Sequence, residues 1–351
     1  MRAAVLAAYG APEGLQLQEI DKPEPKAGEL LVCVHATSVT RGDTEIRAFD
    51  LPWLFRIPLR IWLGLFGPKP NTIMGMEFAG IVESVGAGVD RFEPGDAVFG
   101  PTGMGFGAYA EYVCVSADEV IAKKPECVSF EQAAAVGIGG LAALGYLNKG
   151  RVHDAKKVLI RGASGSIGTF AVQLAKHFGA HVTGVCPTDS VQRVEQLGAD
   201  VVIDYTRQDF TENGETYDLI LDVVGKMSIS RCLRSLSRSG CYVRGTVPGL
   251  WEVLRTLWAT MTSRKRVVIG DAGESTEGLV FLAGLLETGE LETVVDRRYP
   301  LEQIAQAHRY VEKGHKKGNV IITMVPGELD GETPVHGLGA RIEPITTAQT
   351  P

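Results

Sequence analysis

The sequence has 351 residues, which is more than most single hydrophobic cores support, so two domains of ordinary size are expected. With 45% hydrophobic and 22% charged residues, its composition is that of an ordinary soluble globular protein. The net charge of −7 argues against a nucleic-acid partner and against a general affinity for anionic membranes.

Cysteine usage and the lengths of the apolar runs bear on the compartment. The six cysteines are scattered, with no C-x-x-C pair: Cys33, Cys114, Cys127, Cys186, Cys232 and Cys241. This pattern is typical of buried, reduced thiols. The N-terminus lacks the apolar core and cleavage site of a secretory signal. The longest apolar run, residues 133–147, is shorter than the ~20 residues of a spanning helix. We therefore expect a cytoplasmic protein with no membrane partner.

The first part of the chain, residues 1–125, has the pattern of an all-β domain. Glycines recur between β-forming residues over 75–89, which is typical of a small barrel with bulges and tight turns. Strands are expected at residues 30–36, 75–89, 97–99 and 108–115. No helical period appears outside one insertion.

That insertion, residues 51–66, reads LPWLFRIPLRIWLGLF. It combines aromatic and aliphatic side chains with Arg56 and Arg60. We interpret it first as a hydrophobic cap on the barrel and second as an apolar wall or lid at a substrate mouth. Docking on a membrane surface is a third and weaker alternative.

A short motif with nucleotide-binding character lies at residues 157–176, KVLIRGASGSIGTFAVQLAK. An apolar run predicts a buried strand, small residues follow as a turn, and apolar residues at helical spacing predict a helix. Such a turn directs the free N–H groups of a helix N-terminus at a pyrophosphate. Ala163 replaces the first glycine of G-x-G-x-x-G, whereas Gly165 and Gly168 fill the other two positions. Taken alone, the turn also fits an unrelated α/β protein.

The flanking segments supply the context for that motif. Ser129 and Gln132 form a capping box that opens an Ala-rich helix. Strands alternating with helices are expected at residues 158–162, 181–186, 201–205, 217–224, 240–247 and 266–270. Six strands complete a doubly wound parallel sheet of the Rossmann type. Residues 271–325 contain a helix, a strand, a helix and a strand, and residues 326–351 are expected to form a surface tail.

Several motifs together resemble the medium-chain dehydrogenase/reductase superfamily, and most closely its zinc-independent quinone oxidoreductase group. They are MGMEFAGIVESVGAGV (74–89), FEPGDAVFG (92–100), GAYAEYVCV (107–115), LGADVVIDY (197–205) and YDLILDVVG (217–225). The resemblance implies an α/β fold in which a GroES-like β-barrel catalytic domain (1–125 and 271–325) joins a Rossmann nucleotide-binding domain (126–270). The tail (326–351) lies outside it.

The resemblance also bears on the metal. Where zinc-dependent relatives carry their ligands, this chain has Thr40, Met76 and Gly140, none of which binds zinc tightly. We therefore expect no metal. Without a Lewis acid, hydride transfer is feasible to an already activated acceptor, which means a quinone or an α,β-unsaturated carbonyl. Alternatives are an alcohol dehydrogenase or carbonyl reductase without zinc, and a non-catalytic NADPH-binding regulatory protein.

Three residues are the catalytic candidates implied by the resemblance: Thr40, Asp43 and Arg47. Thr40 could donate to a developing enolate oxygen or to a ribose, or bond only to backbone. Asp43 and Arg47 fit a structural pair or ribose positioning better than proton transfer. Tyr109 lies in a strand with alternating polarity and is expected to have a structural role. The sequence does not identify a side chain that donates the proton.

The cofactor is expected to be NADPH. No acidic residue occupies the end of the second strand, although Asp189 nearby would repel a 2′-phosphate and leaves NAD possible. The 2′-phosphate pocket would comprise Cys186, Thr188, Ser190, Arg193 and Tyr205. The pyrophosphate would be held by Ser164, Gly165, Ser166, Ile167 and Gly168. The nicotinamide side would be lined by Val223, Val224, Gly225, Gly245, Thr246, Val247, Gly318 and Asn319. The resemblance also implies a homodimer paired through the edge strand at 266–270.

Overall fold

The structure is a computed structural model, and it describes residues 1–51, 53–225, 227–246, 265–270 and 272–324. The expected tail at 326–351 and the candidate residue Val247 lie outside these ranges. No helix in the described ranges is both long and apolar enough to cross a membrane.

The N-terminal part is built mainly from strands. Its elements are β1 (Arg2–Leu6), β2 (Leu15–Glu19), β3 (Glu29–Ser38), α1 (Arg41–Ala48), α2 (Trp53–Leu63), β4 (Glu77–Val85), β5 (Ala97–Pro101), β6 (Tyr112–Ser116) and β7 (Ala122–Lys123). Apolar residues on the inner faces of β3 and β4 form a buried core with those of β6. Strand β4 has a register shift beside its single glycine, Gly80, which lies against the Cys33 carbonyl; a Cβ at this position would be 2.1 Å from that oxygen.

Helix α1 is an element that the all-β expectation for residues 1–125 missed. Thr40 accepts a hydrogen bond from the Asp43 backbone N–H, and the Asp43 side chain bonds back to the Thr40 N–H. This capping box satisfies the first turn of a helix only eight residues long. The short length and polar composition of α1 leave no apolar period to detect.

The linking segment folds as two helices, α3 (Phe130–Ala134) and α4 (Gly139–Lys149), where the sequence predicts one. The capping box of Ser129 and Gln132 forms as expected. The break falls at Gly137, where an added Cβ would lie 2.8 Å from the Gly100 carbonyl carbon. Close approach to the first sheet therefore interrupts the helix.

The middle of the chain forms the predicted nucleotide-binding sheet. Its elements are β8 (Lys157–Arg161), α5 (Ser166–His177), β9 (His181–Cys186), α6 (Val191–Gln196), β10 (Val201–Asp204), β11 (Tyr217–Asp222), α7 (Ile229–Arg234), β12 (Leu236–Arg244) and β13 (Arg266–Ile269). All neighbours pair in parallel, in the order β10-β9-β8-β11-β12-β13. Val158, Leu159 and Ile160 are fully buried because helices cover both faces. The doubly wound sheet is confirmed, and β10 and β13 are its two edges among the described strands.

The last described elements return to the first sheet. They are α8 (Thr276–Thr288), β14 (Val295–Pro300), α9 (Ile304–Glu312) and β15 (Asn319–Thr323). Strand β15 pairs antiparallel with β3, which gives a seven-stranded sheet. Helix α8 instead packs on α4, with Leu279 and Leu282 in the same core as Leu141. The return places β15 beside the nucleotide-binding turn.

Candidate active site

The turn between β8 and α5 has the geometry of a pyrophosphate cradle. Gly162 adopts φ +89°, and a Cβ on Gly168 would lie 2.0 Å from the Gly162 carbonyl oxygen, so α5 packs directly on the turn. Gly165 caps α5 without any side-chain hydrogen bond. The first N–H groups of the 12-residue helix are therefore left without a side-chain cap, and they suit an anionic ligand. Ser164 to Gly168 thus fit the role predicted for them.

Strand β15 meets this turn at the predicted residues Gly318 and Asn319. The Ser166 hydroxyl donates to Asn319 Oδ1 at 2.5 Å, and Asn319 Nδ2 donates to the Val294 carbonyl at 3.1 Å. Gly318 has φ +113°, and a Cβ there would lie 2.4 Å from the same carbonyl. The hydrogen bond between Ser166 and Asn319 therefore joins two parts of the predicted site that are 153 residues apart in the chain, and the close contact at Gly318 leaves no room there for a larger residue.

The turn after β11, predicted to line the nicotinamide, is organised by the buried carboxylate of Asp222. Its Oδ1 accepts hydrogen bonds from the N–H groups of Val224 and Gly225, both at 2.9 Å. The Arg161 guanidinium donates to it at 2.9 Å, and the Tyr242 hydroxyl donates to Oδ2 at 2.9 Å. Sequence reasoning missed Arg161 and Tyr242, because they meet Asp222 only through the register of neighbouring strands.

The end of β12 lies against the same turn. A Cβ on Gly225 would lie 2.0 Å from Thr246 Oγ1, so Gly225 and Thr246 are in close contact. Arg244 donates from Nε to Thr246 Oγ1 at 2.9 Å and from Nη2 to the Gly225 carbonyl at 3.0 Å. The turn also adjoins the pyrophosphate cradle, since a Cβ on Gly162 would be 2.8 Å from Val224 Cγ2. The structure thus brings Val224, Gly225 and Thr246 of the predicted nicotinamide side close to one another, whereas Val247 lies outside the described residues.

The predicted 2′-phosphate pocket carries more negative charge than the sequence suggested. Thr188 Oγ1 donates to Asp204 Oδ2 at 2.5 Å, and Ser190 Oγ donates to Asp189 Oδ1 at 3.0 Å. Asp189 also forms an ion pair with Lys317, 2.8 Å between Oδ2 and Nζ. Lys317 comes from the segment before β15, and sequence reasoning did not identify it as a residue of this pocket.

The other members of that pocket differ in exposure. Cys186 is buried, and burial raises the pKa of its thiol to about 11, so it stays protonated at neutral pH. The Tyr205 residue is 54% exposed. Arg193 lies 3.6 Å from Glu292 through its Nη1. The cations available for a 2′-phosphate are therefore already near carboxylates.

Apart from the nucleotide-binding turns, Thr40 and Asp43 form a close polar pair at the start of α1. The Thr40 hydroxyl lies 2.6 Å from Asp43 Oδ2 and 3.6 Å from the sulfur of Met76. Asp43 is fully buried, and this burial raises the pKa of its carboxyl to about 6. The Tyr109 hydroxyl faces Asp43 and donates to the Ser38 carbonyl at 3.3 Å. Tyr109, expected to be architectural, therefore belongs to this cluster.

Glu77 is a second buried carboxyl in the same region, and sequence reasoning missed it. It accepts hydrogen bonds from the Ser38 hydroxyl and, at 2.6 Å, from the Ile138 N–H. Burial raises the pKa of Glu77 to about 8, and the nearby Asp43 charge acts in the same direction. Lys316 lies within electrostatic range of both carboxyls, and burial of its ammonium lowers its pKa to about 8. The pKa values of these three groups therefore lie near neutral pH.

Arg47 occupies a different environment from Asp43. Its guanidinium is fully buried, donates to the Gly10 carbonyl and pairs with Glu312. Its Nε lies 3.3 Å from Nδ1 of His308, and burial lowers the pKa of that imidazole to about 3, so the neutral ring accepts the bond. The expected Asp43–Arg47 pair is replaced by the pair with Glu312. Arg47 thus fastens α1 to α9.

The three positions at which relatives hold a metal lack ligands here. Thr40 and Met76 contact each other, and a Cβ on Gly140 would meet Val136 and Leu282 side chains. Across the described ranges, no group of three or more His, Cys, Asp or Glu residues is arranged to hold a metal ion. The polar atoms at the catalytic end are instead hydroxyls, carboxyls and one ammonium.

Comparisons with known proteins agree with the two-part fold. Two family models match, the alcohol dehydrogenase GroES-like domain over residues 26–126 and the zinc-binding dehydrogenase domain over residues 197–322. The chain is 32% identical to the mitochondrial NAD(P)H oxidoreductase RTN4IP1 of Mus musculus, over 85% of this chain and 82% of that one. It is 30% identical to the quinone oxidoreductase of Pongo abelii, over 90% and 94%.

A solved structure is similar over nearly the whole chain. The quinone oxidoreductase of Coxiella burnetii superposes with a TM-score of 0.83 at 29% identity, and the match covers 93% of this chain and 99% of that one. Because one of the relatives is mitochondrial, the cytoplasmic location stays a prediction.

Proposed function

The chain belongs to the medium-chain dehydrogenase/reductase superfamily, in its quinone oxidoreductase-like group, and from this premise we propose that it reduces quinones or α,β-unsaturated carbonyls with NADPH and without zinc. That it is an NAD(P)H-dependent oxidoreductase follows from its relatives. The proposal adds three points to this: the acceptor is a quinone or an α,β-unsaturated carbonyl, the coenzyme carries the 2′-phosphate, and no zinc takes part.

The observation that carries the proposal is the pairing of a complete nucleotide cradle with non-ligating residues at the metal positions. Thr40, Met76 and Gly140 offer one hydroxyl, one thioether and no side chain at all. Such groups do not polarise a simple carbonyl as a metal does. They can bind an acceptor whose own conjugation already favours hydride addition.

The coenzyme would be held by the residues of the cradle and the two nicotinamide-side turns. When bound, NADPH supplies a hydride. Ser166 and the adjoining α5 N–H groups bind the pyrophosphate, and the turns closed by Asp222 and Arg244 fix the edge against which the nicotinamide lies. Lys317, Arg193 and Tyr205 would contact the 2′-phosphate. Because the carboxylate of Asp189 would repel that phosphate, NADH is an alternative coenzyme.

Thr40 is the group proposed to meet the substrate oxygen. Its hydroxyl lies 2.6 Å from Asp43, so a protonated Asp43 can donate to Thr40 Oγ1 and release the threonine proton toward that oxygen. The raised pKa of Asp43, about 6, keeps a fraction of it protonated near neutral pH. Glu77 and Lys316 then serve as the neighbouring proton store. One hydride and one proton convert an enone to the saturated ketone, and one hydride and one proton likewise convert a quinone to the hydroquinone.

Parallel assays with 1,4-naphthoquinone, an α,β-unsaturated ketone and a simple secondary alcohol test this proposal. We expect NADPH to be oxidised by one of the first two, and no NADP-dependent oxidation of the alcohol. Turnover of the alcohol alone would favour the zinc-free alcohol dehydrogenase. Binding of NADPH with no oxidation by any acceptor would favour the regulatory alternative.

The assembly is proposed to be a homodimer in the cytoplasm. Strand β13 lies at the edge of the described sheet and pairs only with β12 there, so its outer side can pair with a second copy. Light scattering should give a dimer at micromolar concentration, and a monomer would contradict it.

A further inference from the structure

An exposed apolar surface surrounds helix α2, and we call it the α2 surface. It consists of Ile57, Ile61, Trp62, Leu65, Phe66 and Met104. Phe66 is 97% exposed, Ile61 65% and Ile57 64%. Ile57 and Ile61 are four residues apart within α2, so they share one side of the helix, and Leu65 and Phe66 follow just after its end at Leu63. Single exposed apolar residues are ordinary, whereas six together mark a surface with a partner.

The α2 segment is fixed to the rest of the protein by contacts on its inner side, so the α2 surface faces outward. Leu63 is buried, and the Trp62 ring packs edge-on against Phe106 with centroids 5.5 Å apart. The Tyr9 hydroxyl donates to the Gly64 carbonyl at 3.2 Å, and the Arg60 guanidinium lies 4.6 Å from the centre of the Tyr9 ring. The inner side of the segment is therefore already packed against the protein, and the exposed row has no described partner within it.

The charge around this surface has the opposite sign to the charge of the whole chain. Residues 51–76 contain Arg56, Arg60 and Lys69 and no Asp or Glu, although the net charge is −7. The Arg56 side chain is 53% exposed, and its ion pair with Asp50 is loose, at 3.8 Å. Lys69 is exposed as well. Apolar side chains flanked by cations are the pattern of helices that lie in the interface of an anionic bilayer.

The α2 surface is also connected through the chain to the region of Thr40. Met104 lies two residues after Thr102, whose N–H donates to the Met76 carbonyl at 2.8 Å and whose hydroxyl donates to the Gly75 carbonyl at 3.0 Å. The sulfur of Met76 is 3.6 Å from Thr40 Oγ1. A few contacts therefore lead from the apolar surface to the residue that is proposed to meet the substrate.

We propose that the α2 surface docks on an anionic lipid bilayer. Ile57, Ile61 and Phe66 enter the acyl boundary, and Arg56 and Lys69 contact lipid phosphates. Docking would let a lipid-dissolved quinone reach Thr40 without crossing water, and this consequence rests on the proposed function. The inference departs from the expectation of no membrane partner, because that expectation used the net charge of the whole chain rather than the local charge of residues 51–76.

Co-sedimentation of the full chain with phosphatidylcholine vesicles, with and without phosphatidylglycerol, tests the docking. We expect binding to the anionic vesicles, at least about tenfold weaker binding for the double variant Ile57→Ser/Ile61→Ser, and unchanged binding for the control Leu17→Ser/Val280→Ser. The control removes exposed apolar residues elsewhere on the molecule. The double variant Arg56→Gln/Lys69→Gln should lose only the preference for anionic vesicles.

Three results would overturn the inference. They are no binding of the unchanged chain to either vesicle, equal binding of Ile57→Ser/Ile61→Ser, and a dimer that becomes monomeric in that variant, which would assign the surface to a second copy. Reduction of a short-chain, water-soluble quinone by the same samples separates the two proposals. Vesicle binding without reduction of either the quinone or an α,β-unsaturated ketone would support docking and contradict the proposed function. Quinone reduction without vesicle binding would do the reverse.

Discussion

The nucleotide-binding turns and the region around Thr40 both contain buried carboxyl groups, but the environments of these groups differ. At the nucleotide end, Asp222 is fully buried and accepts hydrogen bonds from Arg161, Tyr242 and two backbone N–H groups. At the catalytic end, burial raises the pKa values of Asp43 and Glu77 to about 6 and about 8. The side chain of Asp222 accepts hydrogen bonds from four groups and so stabilises the shape of a turn, whereas the raised pKa values of Asp43 and Glu77 fit the proposed role in proton transfer. The difference separates the coenzyme platform from the proposed chemistry.

Removing the Asp222 carboxylate should have the largest effect. In Asp222→Ala, Arg161 and Tyr242 lose their buried partner and the 223–225 turn loses two hydrogen bonds. We expect the free energy of unfolding to fall by ~3–5 kcal/mol, with loss of NADPH binding. Urea denaturation and coenzyme fluorescence measure both. Asp222→Asn, which keeps the shape and one acceptor oxygen, should lose less, and a loss for Asp222→Ala below ~1 kcal/mol would contradict the structural role.

Glu77→Gln should remove a pH dependence at the catalytic end. The pKa of Glu77 is about 8 in the folded protein against a usual value of 4.5, so the folded state retains a proton that the unfolded chain releases. Stability from this group is full below the unfolded value and is lost as pH rises toward 8, by up to ~1.4 kcal/mol per unit.

The glutamine, which carries no charge, should therefore unfold less readily than the unchanged chain, by a margin that grows across that window. Thermal denaturation as a function of pH measures the margin. A constant difference between the two proteins would show that Glu77 is ionised in the fold. Glu111→Gln, at an ion pair with Arg2 nearer the surface, is the comparison variant.

Thr40→Val should affect both structure and chemistry. The valine removes the side-chain cap of α1, at a cost of ~1 kcal/mol, and removes the hydroxyl that is proposed to meet the substrate oxygen. We expect kcat to fall about tenfold to a hundredfold, with the coenzyme Kd unchanged. Thr40→Ser, which keeps the hydroxyl, should recover most of both. Loss of stability with unchanged kcat would restrict Thr40 to capping.

The smallest effect is expected at the exposed pair of Asp189 and Lys317. The pair is 2.8 Å long with both side chains substantially exposed, so either change should alter stability by less than ~1 kcal/mol. Coenzyme choice should respond more clearly. Asp189→Asn should raise the ratio of NADPH to NADH affinity severalfold, since it removes a carboxylate that competes for Lys317, and Lys317→Met should lower it. Fluorescence titration with each coenzyme measures the ratio, and no change in either variant would place the phosphate elsewhere.

Local pattern in the sequence predicted the scaffold better than the chemistry. The segments that form β3 and β8 are mostly continuous apolar runs, which predict buried strands, and the glycines between β8 and α5 predict a turn. Helix α1 was missed because eight mostly polar residues depend on a capping box rather than on an apolar period. The residues that take the place of metal ligands were found only through the family resemblance.

The proton-handling groups could not be found in this way. In the sequence, nothing distinguishes Glu77 from other polar residues in strands, and its burial depends on contacts with Ser38 and the Ile138 N–H. Lys316 is followed by Lys317, and such a pair of lysines is normally expected to be exposed to solvent. Burial of charge results from the packing of segments that are far apart in the chain. Arg161 and Tyr242 show the same limit, since strand register alone brings them to Asp222.

The central claim is hydride transfer without a metal, and the metal content of the active protein tests it most directly. Elemental analysis of the purified chain should find zinc far below one atom per chain, and NADPH-dependent reduction of 1,4-naphthoquinone should survive prolonged treatment with a chelator. Stoichiometric zinc that cannot be removed without loss of that activity would contradict the account.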